Sequence, residues 1–176
     1  MSLSAHFRLM AEYNEWMNTR LYEAAAPLPA AELNAGKGAF FGSLYGTLSH
    51  ILLGDTIWLK RFAAHPAGHH ALDPVRALPM PATYDQREGD FGALRQRRAS
   101  LDAVIRAWTA ELQEADLDHV LRYNNFKGMP FARPFGPLVM HFFNHQTHHR
   151  GQATTLLSQS GIDMGSTDLL MLVPEA

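Results

Sequence analysis

Ten histidines are spread over 176 residues, and four of them fall between positions 141 and 149. The run is His141-Phe142-Phe143-Asn144-His145-Gln146-Thr147-His148-His149-Arg150-Gly151-Gln152. A helix advances about 100° per residue, so His145 and His149 stand about 40° apart on one face. Their Cβ atoms are then roughly 6 Å apart, which suits two ligands on one cation. Leu138, Phe142 and Leu156 fall within about 60° of His145, so the pair shares its face with an apolar stripe. Imidazoles aimed at a core must find partners, because an unsatisfied buried polar group costs roughly 1–3 kcal/mol. A shared cation satisfies both at once. Spacing alone leaves a second reading open, in which each histidine is hydrogen-bonded separately in the core.

A third ligand has to come from another helix, and His50 is the candidate, in Leu48-Ser49-His50-Ile51-Leu52-Leu53-Gly54-Asp55. Its face carries Ser43, Gly46, Thr47 and Gly54. Such small residues leave room either for a substrate or for close helix packing, since glycine costs about 1 kcal/mol in a helix and must have some use there. Three histidines leave a coordination position open, the mark of a catalytic rather than a closed structural site.

Other residues admit two readings each. His148, about 60° from His145, is a polar flank residue, a base behind the ligands or a fourth ligand. His141, one turn before His145, lines the same flank. Gln152 either packs or hydrogen-bonds at the site. The spacing of His145 and His149 matches that of zinc proteases, but Gln146 stands where their glutamate would be and cannot act as a base. Asp55, about 140° from His50, is expected on the helix surface or at a dimer contact. Arg98 is expected to snorkel to the edge, with an anion clamp as the alternative. Tyr13 and Trp16 are expected to pack in the core. His65, His69 and His70 sit among Pro66, Gly68, Asp73 and Pro74 and read as an exposed loop.

The elements that must position these groups are mostly helical. A first helix is expected over residues 4–26, with Ser4 as its cap and Pro27 as its end. Phe7, Met10, Tyr13, Met17 and Leu21 form its buried stripe. A second is expected over 43–64, and a third over 86–115, where Phe91, Leu94, Leu101, Ile105, Trp108 and Leu112 alternate by three and four. Residues 65–81 form a long connection between them, either a functional cover or a mobile flap. Residues 117–123 and 129–133 flank Asn124-Asn125 and Gly128 and read as a small hairpin. The last helix runs from Pro134 and Pro137 to about Ser160, and Gly161 stops it. The tail over 162–176 is apolar enough to pack on the helices or on a partner chain. One all-α domain, a four-helix bundle over 1–176, is the expected organisation.

Composition excludes several classes. The formal net charge is −2, far from the basic footprint of a nucleic-acid binder. There are no cysteines, which rules out disulfides, zinc–thiolate sites and a cysteine nucleophile. No apolar run approaches the roughly 20 residues that span a bilayer, and the N-terminal residues do not resemble a signal peptide, so a cytoplasmic protein without membrane partners is expected.

The stretch from Phe143 to Gln152, ending His149-Arg150-Gly151-Gln152, resembles the signature of the DinB/YfiT family. Leu48-Ser49-His50-Ile51-Leu52, followed by Asp55 and Trp58, resembles that family's second-helix motif, and Leu156-Leu157-Ser158-Gln159-Ser160-Gly161 fits its end. The resemblance covers nearly the whole chain. It implies a four-helix bundle, commonly homodimeric, that binds a divalent metal such as nickel or zinc through His50, His145 and His149. Some relatives are thiol-dependent enzymes, namely bacillithiol or mycothiol S-transferases and a maleylpyruvate isomerase. For this chain it implies a metal-dependent enzyme acting on a small molecule, with His148 or Gln152 assisting and any thiol supplied from outside. A non-catalytic metal-binding module for stress response or sensing is the alternative, and a metal-free helical interaction module is a third.

Overall fold

The computed structural model describes residues 2–83, 86–87, 89–173 and 175. Four long helices dominate: α1 (Leu3–Ala25), α3 (Leu44–Phe62), α5 (Phe91–Glu111) and α6 (Phe135–Gln159). Short helices α2 (Ala30–Leu33) and α4 (Asp73–Arg76) lie in the connections, and β1 (Val120–Asn124) pairs antiparallel with β2 (Pro130–Pro134). Helix α1 packs on α5 and α6, and α3 packs on the same two. Among the described residues no helix is long and apolar enough to cross a membrane.

Caps set the helix ends. The Ser2 hydroxyl accepts from the Ala5 amide, so α1 begins before Ser4, whose own N–H donates to Glu114 Oε1 at 2.7 Å. Ser43 caps α3 as its position suggests, accepting from Gly46 at 3.0 Å. The expected third helix is too long at both ends. Asp90 caps α5 by accepting from Ala93 at 2.8 Å, and Leu112 turns extended to bury its side chain. At the end of α6, Gly161 takes φ +77° and Ile162 N–H reaches back to the Leu157 carbonyl, a left-handed stop that favours glycine.

The connection over 65–81 is tied to the core through its middle. Leu72 and Val75 are buried on the core, and Lys60 Nζ donates to the carbonyls of Val75, Arg76 and Leu78. In the hairpin, Val120 faces Pro134 and Asn124 faces Pro130, with Gly128 at φ +74° in the turn. The first part of the tail is tied to α1, where Tyr13 donates to the Thr167 carbonyl at 2.7 Å and Arg20 donates to those of Met164 and Ser166.

Four aromatic rings, Phe62, Trp108, Phe135 and Phe142, interlock in the core. Behind the α3–α6 seam lies a buried ionic layer. Arg98 donates to Asp55 at 2.5 Å and pairs with Asp102 at 2.8 Å, while Asn14 and Asn18 donate to Asp102 at 2.9 Å. Both sequence expectations for these residues are therefore corrected. Asp55 is wholly buried rather than on the surface, because α3 is enclosed by its neighbours on nearly every face. Arg98 does not snorkel, because two carboxylates meet it inside. Burial pushes Asp102 up to about 6 against the pull of Arg98. Removing one partner would leave a buried charge unpaired, at about 3–5 kcal/mol.

Candidate metal centre

Helices α3 and α6 bring His50, His145 and His149 together, with one ring nitrogen from each lying within 4.8 Å of the others. The Nε2 atoms of His50 and His145 are 3.2 Å apart. Two nitrogens bound at 2.0–2.1 Å to a tetrahedral cation stand about 3.3 Å apart, so this separation fits a shared ion. The ring centroids of His145 and His149 are 4.4 Å apart, as the i,i+4 spacing requires, and those of His50 and His149 are 4.6 Å apart.

The surroundings keep His145 and His149 neutral and orient His149. Burial first, and then the neighbouring His149 and His50, push His145 down to about 3, so its lone pair is available at neutral pH. Burial also lowers His149. The Gln152 carbonyl oxygen lies 2.8 Å from His149 Nδ1 and accepts its proton, which places the lone pair on Nε2. Gln152 Nε2 in turn lies 3.4 Å from Nε2 of His148, which is exposed and one residue removed from the cluster. His141 is 6.1 Å from His145 between ring centroids.

The two glycines of α3 have separate uses. A Cβ on Gly54 would lie 2.8 Å from Cε1 of His145, so glycine there makes room for the imidazole itself. A Cβ on Gly46 would run into the carbonyl oxygen of Phe41, so that glycine lets residues 40–42 fold down on α3. Phe41 then stacks on His50 with centroids 3.8 Å apart. A cleft of about 370 Å³ opens beside His50, with Phe40, Phe41, Gly46 and Ser49 on its walls and Arg87 at its rim. Phe41 is the residue sequence reasoning missed. Its only signal is its place just ahead of the Ser43 cap.

The remaining motif residues divide their work. Arg150 points inward and donates to Asn14, tying α6 to α1, and burial lowers it to about 10. Gln146 is buried against Asp55. Tyr13 is buried and Trp16 is partly so, away from the cleft.

A second group lies at the far end of α3. His65, His69 and Asp116 also bring ligand atoms within 4.8 Å of one another. The exposed loop expected there is corrected for two of its histidines: His65 and His69 are each 5% exposed, and only His70 faces solvent. His65 Nδ1 accepts from the Ala67 amide at 3.1 Å, and its Nε2 donates to the Asp116 carbonyl at 3.1 Å. His69 lies 3.8 Å from Asp116 and 4.0 Å from Glu111.

A helical chain carrying a histidine group of this kind also has relatives. The DinB family model matches residues 1–174, and the chain belongs to that family. It is 24% identical over 160 residues to Protein DinB of Bacillus subtilis (strain 168), covering 89% of this chain and 87% of that protein. No solved structure matches it.

Proposed function

We propose that the four long helices form a four-helix bundle whose job is to hold one divalent cation on His50, His145 and His149 for chemistry on a small molecule. The observation that carries this is the convergence of three imidazoles from two helices, with the His50 and His145 nitrogens 3.2 Å apart beside an open cleft. Neutral nitrogen donors suit zinc or nickel. When bound, such a cation supplies Lewis-acid chemistry and lowers the pKa of a water or thiol that joins it. Gln152 fixes the tautomer of His149, and Phe41 holds the ring of His50. His148, exposed beyond Gln152, is the candidate to move a proton between the site and solvent. The cleft takes the substrate's apolar part against Phe40 and Phe41, with Arg87 favouring an anionic group at the rim. With no cysteine in the chain, a thiol nucleophile comes from outside, and the reaction class is a thiol S-transferase-like transfer or a related isomerisation or hydrolysis.

The test is elemental analysis by plasma mass spectrometry of the untagged protein beside a His145→Ala/His149→Ala variant. About one equivalent in the wild type and little in the variant is expected. The loaded protein should then accelerate thiol transfer to electrophilic small molecules. A wild type that takes up neither zinc nor nickel at micromolar concentration sinks the proposal. Metal uptake without turnover would leave the sequestration or sensing role in its place.

A further inference from the structure

The α3–α6 seam continues past the three histidines. Positions 50, 54 and 58 follow one another along α3, and positions 141, 145 and 149 do so along α6. The ring of His141 lies 6.1 Å from that of His145 on one side and 5.1 Å from that of Trp58 on the other. Beyond them a cleft of about 490 Å³ opens beneath the hairpin, within the range of small-molecule sites.

Its walls are aromatic, and its charged groups are Arg61 and Arg133, beside the neutral Asn125 and His141. Arg61 lies over both Trp58 and Tyr123, 4.7 Å from each ring centroid, and Arg133 lies 5.4 Å from that of Phe131. Tyr123 and Phe131 stack across the two strands at 5.6 Å. A guanidinium laid on a ring has one face held and desolvated; Arg61 also donates from Nη2 to the Asn124 carbonyl at 3.3 Å, whereas the N–H edge of Arg133 stays available for a carboxylate fork. Arg133 takes part in none of the ion pairs among the described residues. The cleft near His50 and the metal ligands make no use of this surface.

We propose that the cleft beneath the hairpin binds small planar carboxylates, with Arg133 taking the carboxylate, Arg61 adding positive charge beside it, and the rings of Trp58, Tyr123 and Phe131 holding the planar body. The seam past His141 then connects the bound molecule to the His50–His145–His149 centre. That second clause rests on the proposed function, whereas carboxylate binding does not.

The test uses the full chain, with and without zinc, titrated with benzoate by calorimetry. Saturable binding is expected, with the neutral analogue benzyl alcohol about tenfold weaker and Arg133→Ala costing benzoate about tenfold. Arg133 is exposed at the hairpin, so that variant reads affinity and not folding. His145→Ala/His149→Ala should leave benzoate affinity within about twofold. Cobalt loaded at the centre should broaden the proton signals of bound benzoate, from roughly 9 Å along the seam, where zinc does not. Benzyl alcohol binding as well as benzoate, or an Arg133→Ala variant equal to wild type, overturns the cleft. Loss of benzoate binding in the double histidine variant also overturns it, because benzoate would then be held by the cation. Benzoate binding by a protein that takes up no metal would leave the cleft standing and remove only its connection to a centre.

Discussion

Two histidine groups lie at opposite ends of α3, and each brings three possible ligand atoms within 4.8 Å. They differ in where their hydrogen bonds go. At His50, His145 and His149 the bond that fixes a tautomer, from His149 Nδ1 to Gln152, leaves the lone pair on Nε2. At His65 both nitrogens are already committed, one to the Ala67 amide and the other to the Asp116 carbonyl. The first group leaves the His149 lone pair uncommitted beside His145 and His50. The second stitches the 65–81 connection to the segment before β1. Proximity of ligand residues is thus a weak criterion for a metal site, and the direction of the uncommitted lone pairs is a stronger one.

The largest test of the contrast is a pair of double variants. His145→Ala/His149→Ala should lose the metal and fold, while His65→Ala/His69→Ala should keep about one equivalent and lose about 2–4 kcal/mol of stability, read by urea unfolding of metal-free protein. Metal lost from the second variant at full stability would reverse the assignment. Next, Gln152→Ala should weaken metal affinity by about 10–100-fold in competition with a chelator, since it frees the His149 tautomer. Gly54→Ala comes third. The added methyl meets Cε1 of His145 at 2.8 Å, so metal affinity should fall about tenfold while the unfolding midpoint holds or rises, by up to about 1 kcal/mol of helix propensity. A variant that binds metal normally would mean His145 has room the structure does not show.

The smallest effect is a pH slope. Burial lowers both His65 and His69, so they are neutral when folded and take up protons on unfolding. The stability they contribute is present above the ordinary histidine value of about 6.5 and is lost as pH falls below it. Metal-free His69→Gln should therefore show a shallower loss of stability between pH 7.5 and 6 than the wild type does. Taking the difference between the two proteins cancels the opposing contribution of Asp102, whose raised value favours the fold as pH falls through about 6. Equal slopes would remove His69 from the account.

Local periodicity carried much of this without tertiary information. The four-residue step puts His145 beside His149 whatever α6 packs against, and Gly161 ends that helix through a backbone preference of its own. The hairpin was legible because Asn125 and Gly128 meet the needs of a turn over a few residues, as the two hydrogen bonds accepted by Asn125 Oδ1 illustrate. Helix starts were less legible. Ser2 and Ser4 are equally good caps by type, and the choice fell to Glu114, which engages the Ser4 amide from 110 positions away.

What only the tertiary structure decided is which groups face one another across helices. The angle that separates Asp55 from His50 was sound, but it could not say that the other side of α3 meets Arg98, 43 residues on, instead of water. The same holds for His65 and His69, whose loop-like surroundings gave no sign of Asp116 and Glu111 closing over them. It holds too for Phe41 on His50 and for the arginines beneath the hairpin. The sequence by itself determined the helices, their apolar stripes, the ligand pair and a candidate third ligand, because those depend on a fixed rise and rotation per residue. Burial, charge pairing and the direction of each lone pair depend on contacts between distant segments, and those exist only once the chain has folded.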